Sequence, residues 1–364
     1  MAGNEADTVR PEEGVVLGFV EEVVPWRLRS SQFPSKVGGR PAWLALCALP
    51  SPAELRCDKC GQPSAFLLQV YAPIANQERA FHRTLFVFCC RSPSCYSHND
   101  SRCFKVFRNQ LPRRNEFYSY EPPPEEEPVE SEADPAVLKS GLKLCRVCGC
   151  SGPKSCSRCY SAAYCSKEHQ TIDWKAGHKN ECAGKEMSGA AQFNKFLFSE
   201  FELDTEPEDL SAEDDKQSGA LEQTHEHKDL NSSPFQSDGL EEKELEDAAL
   251  HETKDSKMFQ KFKQRTAPEP HQVLRYCRGG CPLLVSAEHI PSKKMVPDCP
   301  CGAKRIFEFQ VMPQLLNHLN VDSPTASIDW GTLLVYSCED SCDQGNKYWP
   351  EFIWKQDFPE DAAH

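Results

Sequence analysis

Between residues 145 and 182 the chain reads CRVCGCSGPKSCSRCYSAAYCSKEHQTIDWKAGHKNEC, with seven cysteines and two histidines. Thiolates and imidazoles at short fixed spacings are the donor set of tetrahedral zinc. Four pairs stand out: Cys145 with Cys148, Cys156 with Cys159, Cys165 with His169, and His178 with Cys182. A CxxC turn offers two thiolates to one ion, and residues four apart on a helix offer two more. Because both turn pairs precede both helical pairs, so that each turn pair must reach past the next one to its helical partner, a cross-braced arrangement is expected. Cys145, Cys148, Cys165 and His169 would hold one ion, and Cys156, Cys159, His178 and Cys182 the other. Cys150 fits neither set and reads as a small packed thiol. Two ions saturated by protein donors lack the open position that metal catalysis needs, so this cluster reads as scaffold and not as reaction centre.

The flanking regions carry a second, repeated pattern. With residue n set against residue n+241, segment 36–70 aligns without a gap at ten identical positions. They include Gly38 with Gly279, Cys60 with Cys301, Gly61 with Gly302, and Gln69 with Gln310. An internal duplication is the simplest account. It selects two further donor sets, Cys57, Cys60, Cys90 and Cys95, and Cys299, Cys301, Cys338 and Cys342. Cys90 aligns with Cys338, whereas Cys89 faces Ser337, so Cys90 is the expected ligand. Cys277 and Cys281 face Lys36 and Arg40 and have no counterpart. Cys47 and Cys103 read as ordinary thiols.

These donors need rigid elements to position them. Runs such as AFLLQVYAP and IFEFQVMP, apolar and β-branched between Gly and Pro, predict strands. The expected fold is mainly β with small α+β zinc modules: two pseudo-repeated β-rich zinc-binding halves flanking the cross-braced finger, with acidic disordered linkers. The boundaries are 14–120 for the first half, 121–138 for a Pro/Glu linker, and 139–190 for the finger. An acidic linker follows over 203–255, then the second half over 256–360. Charge supports this partition. The chain of 364 residues has formal net charge -14. Residues 200–255 hold 20 acidic against 4 basic side chains, and residues 121–134 hold seven acids and no base, so the remainder carries +9. Segments of such composition cannot bury enough apolar surface to fold alone.

The first residues, MAGNEADTVRPEEG, contain no apolar core of a secretory signal, and no run approaches eighteen apolar residues. A reducing compartment is expected, with cysteines serving as zinc ligands and not disulfides. Residues 191–203 place Phe193, Phe196, Leu197 and Phe201 at helical spacing and predict a docked helix. The run KMFQKFKQR at 257–265 predicts a second one, docking Met258, Phe259 and Phe262 onto its own domain. Phosphate-loop, dinucleotide, HExxH and GxSxG signatures are absent. No aromatic-plus-basic stacking platform supports direct nucleic-acid binding, and no enzyme activity is expected.

The pattern CxxC…CxxC…YCSKEHQ…DW…GHKxxC closely resembles a MYND-type zinc finger, with His169 where most such fingers carry cysteine. Such fingers bind peptides, and Tyr160, Tyr164, Ile172 and Trp174 are the residues that would line a groove if they are not core. With LGFVEE…FPSKVGGRPAWL, CDKCGQP, FCCRSPSC and QVLRYCRGGCPLLVS added, nearly the whole chain resembles the programmed cell death protein 2 family. That resemblance implies a dedicated chaperone for a small-subunit ribosomal protein, the one at the mRNA entry site, supporting small-subunit biogenesis. Two zinc ions in the finger and one in each half are implied, with cytoplasmic and nuclear localisation and no membrane. The alternative is a transcriptional or apoptosis-related adaptor whose finger recruits corepressor peptides.

Overall fold

The computed structural model describes residues 14–127, 141–182, 195–209, 257–319, 321, 327–343 and 345–359. The mainly β character read from the sequence is present. Among the described residues ten strands form one closed barrel: β1 (Val16–Glu21), β2 (Lys36–Val37), β3 (Ala65–Tyr71), β4 (His82–Cys89), β5 (Phe104–Leu111), β8 (Phe201–Pro207), β9 (Leu274–Tyr276), β10 (Arg305–Val311), β11 (Thr332–Cys338) and β12 (Trp349–Gln356). Two short strands of the finger, β6 (Lys154–Ser155) and β7 (Ala163–Tyr164), pair with each other outside it. The order around the barrel is β1-β8-β2-β3-β4-β5-β12-β11-β10-β9, and every pairing is antiparallel. Strands from the first and last thirds of the chain therefore share one wall. Strand β5 pairs with β12 and β1 pairs with β9.

Alternation along these strands sends Val70, Leu85, Val87, Val106, Phe309, Val311, Leu333 and Val335 into a common apolar interior. One layer of that interior is ionic. Arg83 of β4 and Glu308 of β10 are both wholly buried and joined by a bidentate pair. Arg108 and Glu351 form a second buried pair, at 2.8 Å. Strand β3 bulges between Phe66 and Leu68, and β10 bulges between Phe307 and Phe309. Beside each bulge a buried glutamine clamps one residue of a neighbouring loop. Gln69 accepts from the Ala42 N–H at 2.9 Å, and Gln310 accepts from the Leu283 N–H at 2.7 Å.

The segment expected as helix over 191–203 is not helical where it is described. Residues 195–197 turn, 198–200 form no regular element, and Phe201–Pro207 is strand β8. The acidic linker expected from residue 203 thus yields its first residues to the barrel. Phe193 and most of that linker lie outside the described residues, as does most of 121–138. Tertiary pairing decides the conformation here: β8 is paired to β1 along six residues and touches β2 as well. Position 38 requires glycine, since its φ is +64 and a Cβ there would lie 1.8 Å from the Ser199 carbonyl oxygen. The second expected helix is present at 257–266 and seats Phe262 against Val285 and Met312.

Candidate metal centres and the docked finger

Each of the four donor sets converges, with all four ligand atoms within 4.8 Å of one another: Cys57, Cys60, Cys90 and Cys95; Cys145, Cys148, Cys165 and His169; Cys156, Cys159, His178 and Cys182; Cys299, Cys301, Cys338 and Cys342. A tetrahedron with metal–sulfur bonds of about 2.3 Å has sulfur–sulfur edges of about 3.8 Å. The observed edges fit it: Cys60 to Cys90 3.6 Å, Cys148 to Cys165 3.8 Å, Cys156 to Cys182 3.8 Å, Cys299 to Cys342 3.6 Å and Cys301 to Cys338 3.6 Å. His169 offers Nδ1, 3.6 Å from the Cys145 sulfur, and His178 offers Nε2, 3.6 Å from the Cys159 sulfur. The donor chemistry and spacing suit zinc.

Local structure explains how the donors meet. Tight turns put the Gly61 N–H on the Cys57 carbonyl and the Gly302 N–H on the Cys299 carbonyl, and each glycine has positive φ. Cys90 follows the end of β4 and Cys338 ends β11, so each barrel cluster joins a turn to a strand end. In the finger, Ser166 caps the helix α1 (Lys167–Asp173) by accepting the His169 N–H at 3.1 Å, which holds His169 one turn beyond Cys165. Wider turns over Trp174–His178 carry His178 to the second set, with the short helix α2 (Lys179–Glu181) leading to Cys182.

The remaining cysteines stand apart from these sets. Cys89 points into the barrel core, and burial pushes its thiol up to about 12. Cys103 is buried nearby and is pushed up to about 12 by burial, with Cys89 adding to the effect. Cys150 is packed, Cys47 is half-buried, Cys277 is buried and Cys281 is exposed.

The finger is docked on the barrel. The Trp43 indole N–H donates to the Gly149 carbonyl at 2.8 Å, and the Arg40 guanidinium donates to the Arg146 and Val147 carbonyls at 2.5 and 3.3 Å. Trp43, Leu46, Phe86 and Phe88 share one buried cluster with Val147, Cys148 and Tyr164. Phe196 meets the His169 ring edge-on at 4.2 Å, tying a ligand to the barrel segment before β8. Of the four residues considered for a peptide groove, Tyr164 is fully buried with its hydroxyl donating to Asp173 at 2.6 Å. Ile172 and Trp174 are half-buried against the shared cluster, and Tyr160 alone is open, at 71% exposure. Arg40 and Trp43 escaped the sequence reading because an Arg and a Trp in a Gly/Pro-rich stretch give no periodic signal.

Residues 14–125 match the N-terminal domain of programmed cell death protein 2, and residues 256–357 match its C-terminal domain. Residues 145–182 match the MYND finger. The mouse protein named programmed cell death protein 2 is 54% identical over 94% of this chain and 96% of its own length. This chain belongs to the programmed cell death protein 2 family. A human relative, programmed cell death protein 2-like, is 30% identical over 90% of this chain and 91% of its own length. A fission-yeast protein named probable 20S rRNA accumulation protein 4 is 25% identical over 90% of this chain and 92% of its own length. No solved structure matches. The family match and the cysteine clusters make this a zinc-binding protein with a MYND finger. No helix among the described residues is long and apolar enough to cross a membrane.

Proposed function

We propose that this chain is a zinc-scaffolded, non-enzymatic chaperone for a small-subunit ribosomal protein, the one at the mRNA entry site. In this reading it acts in the cytoplasm and nucleus. The observation that carries the reading is the near full-length similarity to a relative named for 20S rRNA accumulation. Acidity supports it, since a basic client is best held by acid until RNA replaces it. Asp204 and Glu206 are exposed on β8, which runs directly into the acidic stretch of the sequence.

In the same reading four zinc ions are bound, two in the finger and one in each barrel cluster, each by the four residues named above. With four protein donors apiece, the ions would fix turns and strand ends and leave no position for a substrate. The matched bulges and matched glutamine clamps support two barrel halves descended from one duplicated unit, with the finger inserted between them.

The test is a quantitative pull-down from cell extract with the full chain and with Tyr160→Ala, which alters the exposed finger aromatic. One small-subunit ribosomal protein at near-equal amount with both proteins supports the chaperone reading. Corepressor proteins that disappear with Tyr160→Ala would replace it with the adaptor reading.

A further inference from the structure

The barrel wall has a gap one strand wide. Strand β2 closes the sheet between β8 and β3 for two residues only: Lys36 lies opposite Glu202 and Gln69, and Val37 opposite Phe201 and Leu68. Just before β2, Ser35 bridges both neighbours. Its carbonyl accepts the Leu203 N–H at 3.0 Å, and its hydroxyl accepts the Tyr71 N–H at 2.9 Å. Farther along, no strand among the described residues lies between β8 and β3. The Gly18 carbonyl accepts from Val273 on the β9 side, so Gly18 spends its backbone groups away from β8. Its antiparallel partner Thr205 therefore turns its own N–H and C=O away from β1, into the gap. A cavity of about 830 Å³ occupies this place, with Thr205 on one side, Tyr71 on the other and an apolar floor that includes Val16, Val70, Leu274 and Tyr276.

An unpaired strand edge over an apolar floor is the geometry of strand addition. The added segment bonds through its backbone and sends alternate side chains inward. The charge around the gap selects the occupant. Asp204 and Glu206 flank Thr205, Glu78 stands on the far rim, and all three are exposed, with no ion pair among the described residues. A segment of this chain's own acidic stretch would be repelled there. We propose that the gap between β8 and β3 receives an extended segment of a basic partner protein, alternating apolar and cationic residues, as an added strand. The proposal rests on the reading of the chain as a holder of a basic protein. Apolar side chains of the guest fill the cavity above Tyr276, and its cationic side chains face Asp204 and Glu206.

The test uses the full zinc-loaded chain and a labelled alternating lysine–valine peptide of about eight residues. Two controls accompany it: the glutamate–valine counterpart, and the lysine–valine peptide N-methylated at every second amide. Thr205→Pro removes the free-edge N–H without touching a ladder bond, and proline is tolerated at such a position. The lysine peptide should bind the wild-type chain, and the glutamate and N-methylated peptides should bind it at least about tenfold more weakly. Thr205→Pro, with zinc content and melting temperature checked, should show the same loss. The N-methylated peptide gives an answer on the unmutated protein even if Thr205→Pro misfolds. No binding of the lysine peptide, or binding indifferent to N-methylation, overturns the proposal. The ribosomal client separates the two readings. If the wild-type chain and Thr205→Pro copurify it equally, the chaperone reading stands and the gap does not. If the wild-type chain fails to copurify it while the peptide behaves as expected, the gap stands and the ribosomal reading falls.

Discussion

Arg83 and Glu308 meet inside the barrel from strands 225 positions apart in the sequence, each with its side chain wholly withdrawn from water. Burial alone pushes the Glu308 carboxyl up, but the facing Arg83 guanidinium overrides it and holds the group at about 2. Removing either partner strands the other charge in the interior. Glu308→Ala should cost about 3–5 kcal/mol of stability, measured by urea unfolding. The folded carboxyl titrates below its unfolded value, so its contribution is full above the unfolded value of about 4.3 and is lost as pH falls toward 2. Acid unfolding of the wild-type chain should steepen in that window, and Glu308→Ala should lack that component.

All sixteen converging donors could be read from sequence because a tetrahedral site imposes spacing that survives without knowledge of the fold. The duplication added what spacing alone could not, choosing Cys90 over its neighbour. Strand β8 was hidden for the opposite reason. Its residues Glu202, Asp204 and Glu206, with Glu208 just beyond its end, look like linker, and only the pairing to β1 shows that Leu203 is a core position. The phenylalanines of this segment fall at helical intervals, yet among the described ones it is Phe198, off that stripe, that is fully buried, beneath the Arg91 guanidinium. Barrel closure and the seating of the finger on Trp43 depend on contacts between distant residues, which no local pattern encodes.

Cys89 and Cys90 are adjacent, and the structure separates their roles. Cys90 converges with Cys57, Cys60 and Cys95, whereas Cys89 faces the apolar core. Native mass spectrometry should find Cys90→Ser short of one zinc ion. Cys89→Ser should keep the wild-type zinc content and lose stability, because a more polar hydroxyl replaces the thiol in the apolar core with only the Tyr96 hydroxyl within reach. Equal zinc loss in both variants would contradict the assignment.

The finger and barrel share one apolar cluster, so neither surface is complete without the other. Deleting residues 139–190 should uncover Trp43 and the cluster around it. The truncated chain is then expected to melt lower and to bind a hydrophobic dye that the full chain does not. Trp43→Ala should cost about 3–5 kcal/mol by the same unfolding measurement. Stripping zinc with a chelator should shift Trp43 emission to the red as Gly149 and Val147 leave it. An unchanged melting point for the deleted chain would show that the finger is merely tethered.

His82 supplies a second pH signature, at higher pH than Glu308. Its ring is buried, stacked on Phe33 at 4.1 Å, with Nδ1 3.0 Å from the Tyr71 hydroxyl. Burial pulls its imidazole down to about 4, and the nearby Arg113 guanidinium adds to the effect. An unfolded histidine titrates near 6.5, so between about pH 6.5 and 4 the unfolded chain binds a proton that the folded chain refuses. This group therefore costs nothing above about pH 6.5, destabilises progressively as pH falls toward 4, and adds no further slope below that. His82→Phe should flatten the stability profile across this window, read from urea midpoints at about pH 7.5 and about pH 5. A His82 imidazole proton resonance, assigned by its loss in His82→Phe, that titrates near 6.5 in the folded chain would refute the burial account.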